Sequence, residues 1–217
     1  METRMSAPVI VGGLTAPDSE LTRKAAALIE QIHTPVIRNH LHRTWWFADL
    51  LGRKRELKYD REVVYFASLM HDLGFTKEYS ADQRFEVDGA DAAKSFLLAH
   101  GYSEAKAELV WDGIALHSSG GIADRKVPEI ALIYFGAHVD VFGFNIEEIS
   151  PALIDDTLEL YPRLGMKAAF QGALAEVVRR KPHTAVGTGL RDIGYRHVHG
   201  FSCPDICGMI DAAPFES

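Results

Sequence analysis

The chain has 217 residues, of which 47% are hydrophobic and 24% are charged, and its net charge is −7. These values are typical of one globular domain, and no apolar run approaches the roughly 20 residues of a membrane-spanning helix. The negative charge disfavours a nucleic-acid partner, because a phosphate backbone would be repelled. The two cysteines, Cys203 and Cys207, offer no disulfide framework, which favours a cytoplasmic location.

Helical patterns dominate from residue 18 to residue 182. Start and stop residues set their limits, for example Asp18 before the first helix, Asp60 before the third and Gly101 after the fourth. The predicted helices cover about residues 18–32, 35–51, 60–74, 86–100, 103–117 and 128–142, with a seventh starting at 151 and an eighth running from 162 to 181. No strand pattern is convincing. The sequence therefore predicts one all-α domain of about eight helices (18–182), between an irregular N-terminal arm (1–17) and an irregular C-terminal segment (183–217).

The dipeptide His71-Asp72 ends the third, largely apolar helix. His71 shares a helical face with Ala67 and Val64, which predicts that it points into the core. Burying an imidazole beside a carboxylate is unfavourable unless something compensates them. A divalent metal ion does so, since both groups are metal ligands.

Three other helices place a polar group on an inward face. The second helix carries two histidines, and helical phase selects His40, because His42 lies on a more polar face. Asp140 follows Gly136 and Ala137 on the inner face of the sixth helix, and His117 ends the inner face of the fifth. Inward polar groups from four helices favour one shared metal site.

The order His40, His71-Asp72, Asp140 resembles the H…HD…D signature of the HD superfamily of metal-dependent hydrolases. Further segments resemble its cyanamide hydratase branch. They are residues 35–43 (PVIRNHLHR), 60–72 (DREVVYFASLMHD), 84–97 (RFEVDGADAAKSFL), 114–117 (IALH), 161–163 and 181–184. The similarity covers roughly residues 18–190.

This resemblance implies a single HD-domain helical bundle with one divalent metal ion, zinc first and iron or manganese as alternatives, held by His40, His71, Asp72 and Asp140. It implies a hydratase or hydrolase in which a metal-activated water adds to cyanamide, or to a related nitrile-like compound, to give urea. Asp72 and His117 are the catalytic candidates, since a neutral imidazole can hold the substrate or move a proton.

The loop after the HD pair supplies the candidates for substrate binding, which are Phe75, Lys77 and Arg84. Phe75, Tyr79 and Phe85 could close a small apolar pocket suited to an uncharged substrate. The expected partner is therefore a small-molecule substrate, with no nucleic acid and no membrane, and a homodimer is left open by the apolar seventh and eighth helices.

Two enzymatic alternatives remain. An HD-type phosphohydrolase acting on a nucleotide or small phosphate ester would need cations to hold phosphate, and Arg43, Lys77 and Arg84 lie near the signature. A di-iron oxygenase would need two more histidines, for which His100 and His117 are available. A metal-free regulatory module is the third reading, and the presence of all four signature residues disfavours it.

Overall fold

A computed structural model describes residues 10–215 of the chain, and these residues form ten α-helices and one short hairpin. The helices are α1 (Glu20–Ile32), α2 (Pro35–Lys54), α3 (Arg61–Met70), α4 (Phe85–Ala99), α5 (Glu104–Leu116), α6 (Pro128–Phe142), α7 (Pro151–Leu160), α8 (Met166–Arg180), α9 (Leu190–His197) and α10 (Ile206–Asp211). The hairpin pairs β1 (Ile10–Val11) with β2 (Leu14–Thr15) in antiparallel register. The expected all-α class is confirmed.

The helix starts follow ordinary capping chemistry. Asp60 caps α3 by accepting hydrogen bonds from the backbone N–H groups of Glu62 and Val63. At α1 the cap is Ser19 rather than the predicted Asp18, because Ser19 forms a reciprocal capping box with Thr22. The third helix ends at Met70 instead of the predicted residue 74, because the chain continues as a 3-10 turn over Leu73–Phe75.

The buried core lies around α2, which packs along α6 and α3, while α4 packs on α5 and on the 3-10 turn. Gly136 permits the close approach of α6 to α2, since a Cβ atom there would lie 2.2 Å from the carbonyl oxygen of Thr44. One helical turn beyond Gly136 is Asp140, and one turn before Thr44 is His40. This contact therefore brings two of the signature residues together.

Within residues 10–215, the segments near both ends form regular structure that the sequence did not predict. Residues 1–9 of the predicted N-terminal arm lie outside the described residues, but Val11 of the hairpin is fully buried in the core. Residues 183–215 contain α9 and α10, two short helices that the sequence did not predict. Within residues 10–215, no helix is long and apolar enough to cross a membrane.

The segment around α8 and α9 forms a second apolar cluster over the start of α4. Its buried members are Phe75, Phe85, Val177, Val178, Ala185, Leu190 and Cys203. The Lys181 ammonium forms a buried ion pair with Asp88 of α4, and Arg180 donates to the carbonyl oxygen of Phe75 at 2.8 Å. These polar contacts fix the C-terminal part of the chain against the loop that follows the HD pair.

Candidate metal centre

His71 and Asp72 immediately follow α3, and both side chains are at most 1% exposed. The His71 Nδ1–H donates to the carbonyl oxygen of Ser68 at 2.8 Å. Because a carbonyl oxygen can only accept, the proton lies on Nδ1 and the Nε2 lone pair of a neutral ring points away from the helix. Burial, together with the nearby His40, lowers the pKa of His71 to about 3, so the ring is neutral at pH 7.

His40 reaches the same place from α2 and is fully buried. Its Nδ1 lies 2.6 Å from Oδ2 of Asp140, and an ionised carboxylate again requires the proton on Nδ1. The Nε2 atom of His40 then faces Nε2 of His71 at 3.2 Å. If both Nε2 atoms present lone pairs, as metal-binding imidazoles do, the two atoms repel each other at this distance unless a cation lies between them.

Asp72 completes a triangle with the two imidazoles. Its Oδ2 lies 3.6 Å from Nε2 of His40 and 3.4 Å from Nε2 of His71. A point equidistant from these three atoms lies about 2 Å from each, given the three separations, and this is the length of zinc–nitrogen and zinc–oxygen bonds. Geometry and ligand type therefore fit a small divalent ion.

The burial of the Asp72 carboxylate also favours a bound cation. Neither oxygen has a hydrogen-bond partner among the described residues although both are buried, and burial raises the pKa of this carboxyl group. Burying an unpaired carboxylate is unfavourable, and a bound divalent cation compensates its negative charge. His40, His71 and Asp72 are thus a set of residues that suits a metal ion and is poorly satisfied by protein groups alone.

Asp140 lies beside this cluster, but its oxygens face other groups. Oδ1 accepts from Arg43 Nε at 2.7 Å and from Arg163 Nη1 at 2.8 Å, while Oδ2 accepts from Arg43 Nη2 at 2.9 Å and contacts His40. Burial opposes ionisation, yet the hydrogen bonds from His40 and Arg43 hold the pKa of Asp140 well below its usual range. In this arrangement the carboxylate orients His40 instead of converging with the other three ligand atoms.

His117 lies next to the cluster at the end of α5. Its ring meets the His71 ring edge-on, with centroids 4.7 Å apart, and its Nδ1–H donates to the carbonyl oxygen of Ile114 at 2.6 Å. Burial, together with His71, lowers the pKa of His117 to about 4, so the ring is neutral at pH 7 with the Nε2 lone pair available. This residue can accept or relay a proton beside the cluster.

Three phenylalanine rings connect His40 to His117. Phe170 lies 5.2 Å from the ring of His40, Phe75 lies between Phe170 and Phe85, and Phe85 lies 5.7 Å from the ring of His117. We call Phe75, Phe85 and Phe170 the aromatic arc. The sequence placed Phe75 and Phe85 at a small apolar pocket but not Phe170, because Phe170 is remote in sequence and looks like an ordinary apolar residue of α8.

The two predicted cationic substrate-binding residues lie at the surface. The side chain of Arg84 is 41% exposed and forms an ion pair with the buried Glu86 at 2.7 Å. Ser118 donates to the same Glu86 oxygen at 2.6 Å, which connects the start of α4 to the end of α5. Lys77 is an exposed residue of the loop after the 3-10 turn.

Comparison with known proteins identifies the family. The family profile of the HD domain matches residues 37–153, more than half of the chain and including every signature residue. HD domains are typically metal-dependent hydrolases that bind divalent metals.

A curated relative is an uncharacterized protein from Clostridium beijerinckii, 24% identical over 90 residues. The match covers 42% of this chain and 54% of the relative, so the chain spans about half the length of that relative. Because the relative is uncharacterized, it adds no substrate. The match of residues 37–153 nevertheless places the chain in one family: it belongs to the HD-domain proteins.

Proposed function

We propose that this protein is a metal-dependent hydratase or hydrolase that uses a metal-activated water on a small uncharged substrate, of the cyanamide hydratase type (cyanamide and water to urea). The observation that carries the metal-dependent part is the triangle of His40 Nε2, His71 Nε2 and Asp72 Oδ2, with separations of 3.2 to 3.6 Å. A divalent ion at such a centre, zinc first and iron or manganese as alternatives, lowers the pKa of a bound water from 15.7 to about 7.

The protein groups would divide the remaining work. His40, His71 and Asp72 hold the ion, and Asp140 orients His40 through Nδ1, as carboxylates commonly do behind metal-binding histidines. Hydration of a nitrile requires that its nitrogen gain a proton. His117 is the proposed proton carrier, since it is neutral at pH 7, adjacent to His71 and has an available lone pair at Nε2.

The surroundings of the cluster support a small uncharged substrate. The cluster residues are at most 2% exposed, and the aromatic arc presents an apolar wall between His40 and His117. Nearby cations are already engaged, because Arg43 and Arg163 bind Asp140 and Lys181 binds Asp88. A phosphate group would find few free donors at this depth among the described residues.

Arg84 keeps the phosphohydrolase as a second candidate. Its guanidinium is partly exposed near Ser118, the residue after His117, where it could meet a phosphate group entering from the surface. A di-iron centre receives less support. His100 is exposed at the end of α4 and its Nδ1–H donates to the carbonyl oxygen of Phe96.

The proposal is tested with purified protein loaded with zinc, iron or manganese and offered cyanamide, related nitriles and a panel of phosphomonoesters. We expect urea from cyanamide, lost in His71→Ala and retained in His100→Ala, which removes an exposed histidine. Phosphate release without urea would overturn the hydratase in favour of the phosphohydrolase. A cytoplasmic setting is part of the proposal, because Cys203 and Cys207 are both free thiols.

A further inference from the structure

His33 is a buried histidine to which neither the family signature nor the helical pattern gives a role. It follows the last residue of α1, where its backbone N–H donates to the carbonyl oxygen of Ile29, and the residue is 9% exposed. The Nε2 atom is buried and has no hydrogen-bond partner among the described residues. Leaving a buried polar atom without a hydrogen bond is unfavourable, so the retention of His33 calls for a partner that the described residues do not supply.

His33 lies between two helices that connect to the candidate metal centre. His33 is followed by Thr34 and then by α2, whose sixth residue is His40. The helix that His33 ends, α1, packs against α3, and α3 leads directly into His71 and Asp72. Oδ1 of Asp72, the oxygen that lies outside the triangle of candidate metal ligands, also lacks a hydrogen-bond partner within residues 10–215. Unmet groups on adjoining elements suggest one shared ligand.

Electrostatics indicate that His33 and the cluster occupy the same buried region. Burial lowers the pKa of His33 to about 4, and Asp72 is the charged group that acts on it most strongly, followed by His40. The influence is mutual, since His33 also affects the pKa of Asp72 and of His71. His33 is therefore a neutral imidazole at pH 7, able to donate or to accept one hydrogen bond at Nε2 according to its tautomer.

We propose that His33 binds the small ligand of the metal centre, through a hydrogen bond at Nε2 made from the α1 side. The proposal rests on the proposed metal site and adds a ligand-binding residue to it. His33 lies before residue 37, where the HD-domain match begins, as Phe170 lies after residue 153, where it ends. Residues outside the matched segment would then help to select the substrate.

Cobalt(II) and azide provide a test that needs no knowledge of the substrate. Cobalt(II) substituted for the native ion gives a visible spectrum that changes when azide binds. His33→Ala should keep the cobalt stoichiometry of the wild type but raise the Kd for azide about tenfold, because one hydrogen bond to an anion is lost. His33→Gln, whose amide can donate, should recover part of the affinity. His100→Ala should behave as the wild type.

The possible failures are distinguishable. An azide Kd in His33→Ala that lies within about twofold of the wild-type Kd would overturn the role of His33, because the loss of a hydrogen bond should weaken binding by more than that. The metal site would be unaffected by this result. Loss of cobalt from His33→Ala and His33→Gln, with both variants folded by circular dichroism, would also overturn it, since His33 would then hold the ion itself. A wild-type protein that binds no cobalt would overturn the metal site and this proposal together.

Discussion

Arg43 binds the Asp140 carboxylate through two hydrogen bonds, with Nε donating to Oδ1 at 2.7 Å and Nη2 donating to Oδ2 at 2.9 Å. Both side chains are fully buried. Arg43 and His40 lie on the same helix three residues apart, so their side chains point to the same side of α2. The Arg43–Asp140 pair thus fixes α6 to α2 at the point where His40 enters the candidate metal centre.

Removing Arg43 should be strongly destabilising. In Arg43→Ala the Asp140 charge remains buried and keeps only Arg163 and His40 as partners, so the cost should reach up to about 3–5 kcal/mol, the value for a buried charge left without a partner. Urea denaturation of the two proteins measures the difference. Arg23→Ala, which breaks an exposed pair with Asp18, should change stability by no more than roughly 1 kcal/mol. Equal effects of the two substitutions would contradict the structural role of Arg43.

Asp140→Asn distinguishes an orienting carboxylate from a metal ligand. If Asp140 acts through His40, the variant should still bind one ion per chain, with metal affinity about 10–100-fold weaker, as expected for loss of a group behind a ligand. Competition with a chromophoric chelator gives the affinity. Complete loss of metal from a folded Asp140→Asn protein would show that Asp140 belongs among the ligands, as the family signature implies.

The contact of α6 with α2 should tolerate no side chain at Gly136. A Cβ atom there would meet the Thr44 carbonyl oxygen at 2.2 Å and the Ala48 Cβ atom at 2.9 Å, so Gly136→Ala should lower the free energy of unfolding by about 1–3 kcal/mol. Gly172→Ala is the matched control on α8. A Cβ atom at Gly172 would have no described neighbour within 4 Å, so helix propensity should raise stability by up to about 1 kcal/mol. Effects of the same sign would argue against this account.

Acid should destabilise the protein partly through His42. This histidine stacks on Tyr161 with ring centroids 4.6 Å apart, and burial lowers its pKa to about 4 from the ordinary value of 6.5. Between these values the unfolded chain binds a proton that the folded chain excludes, so the free energy of unfolding falls as pH drops from about 6.5 to about 4.

His42→Phe, which keeps a ring against Tyr161, should make this fall shallower by up to about 1.4 kcal/mol per pH unit, the value for one proton. Urea titrations at several pH values measure the slope. An unchanged slope in His42→Phe would show that His42 is not neutral in the folded protein. Substituting the exposed His100 by Phe should leave the slope as it is in the wild type.

Local patterns in the sequence predicted most of the helices and the inward direction of His40. Pro35, Asp60 and Pro128 are start signals that act within a few residues, and α2, α3 and α6 begin at or next to them. The apolar phase of α2 likewise placed His40 in the core and His42 nearer the surface, since burial of a helix face repeats with its turn. In the structure His40 is fully buried, while His42 is partly buried at the boundary of the core, where it stacks on Tyr161.

The surroundings of the cluster were beyond local patterns. Phe170 reaches the centre from a part of the chain remote from His40, and nothing in its neighbouring residues marks it. Arg163 lies in the segment 161–163 that carries part of the family resemblance, but its ion pair with Asp140 could not be predicted from that resemblance. His33 could not be selected from the sequence either, because its proposed role depends on a buried Nε2 atom that has no hydrogen-bond partner among the described residues. Only the folded structure shows this. The helices α9 and α10 were missed because Gly and His interrupt their short apolar patterns, and tertiary packing of Leu190 supports α9.

Metal analysis of the purified full-length protein tests the central claim most directly. We expect about one divalent ion per chain by inductively coupled plasma mass spectrometry, after loading and gel filtration, and a loss of that ion in His71→Ala while His100→Ala retains it. A wild-type protein without bound metal, or a folded His71→Ala protein that keeps its full complement, would contradict a centre built on His40, His71 and Asp72.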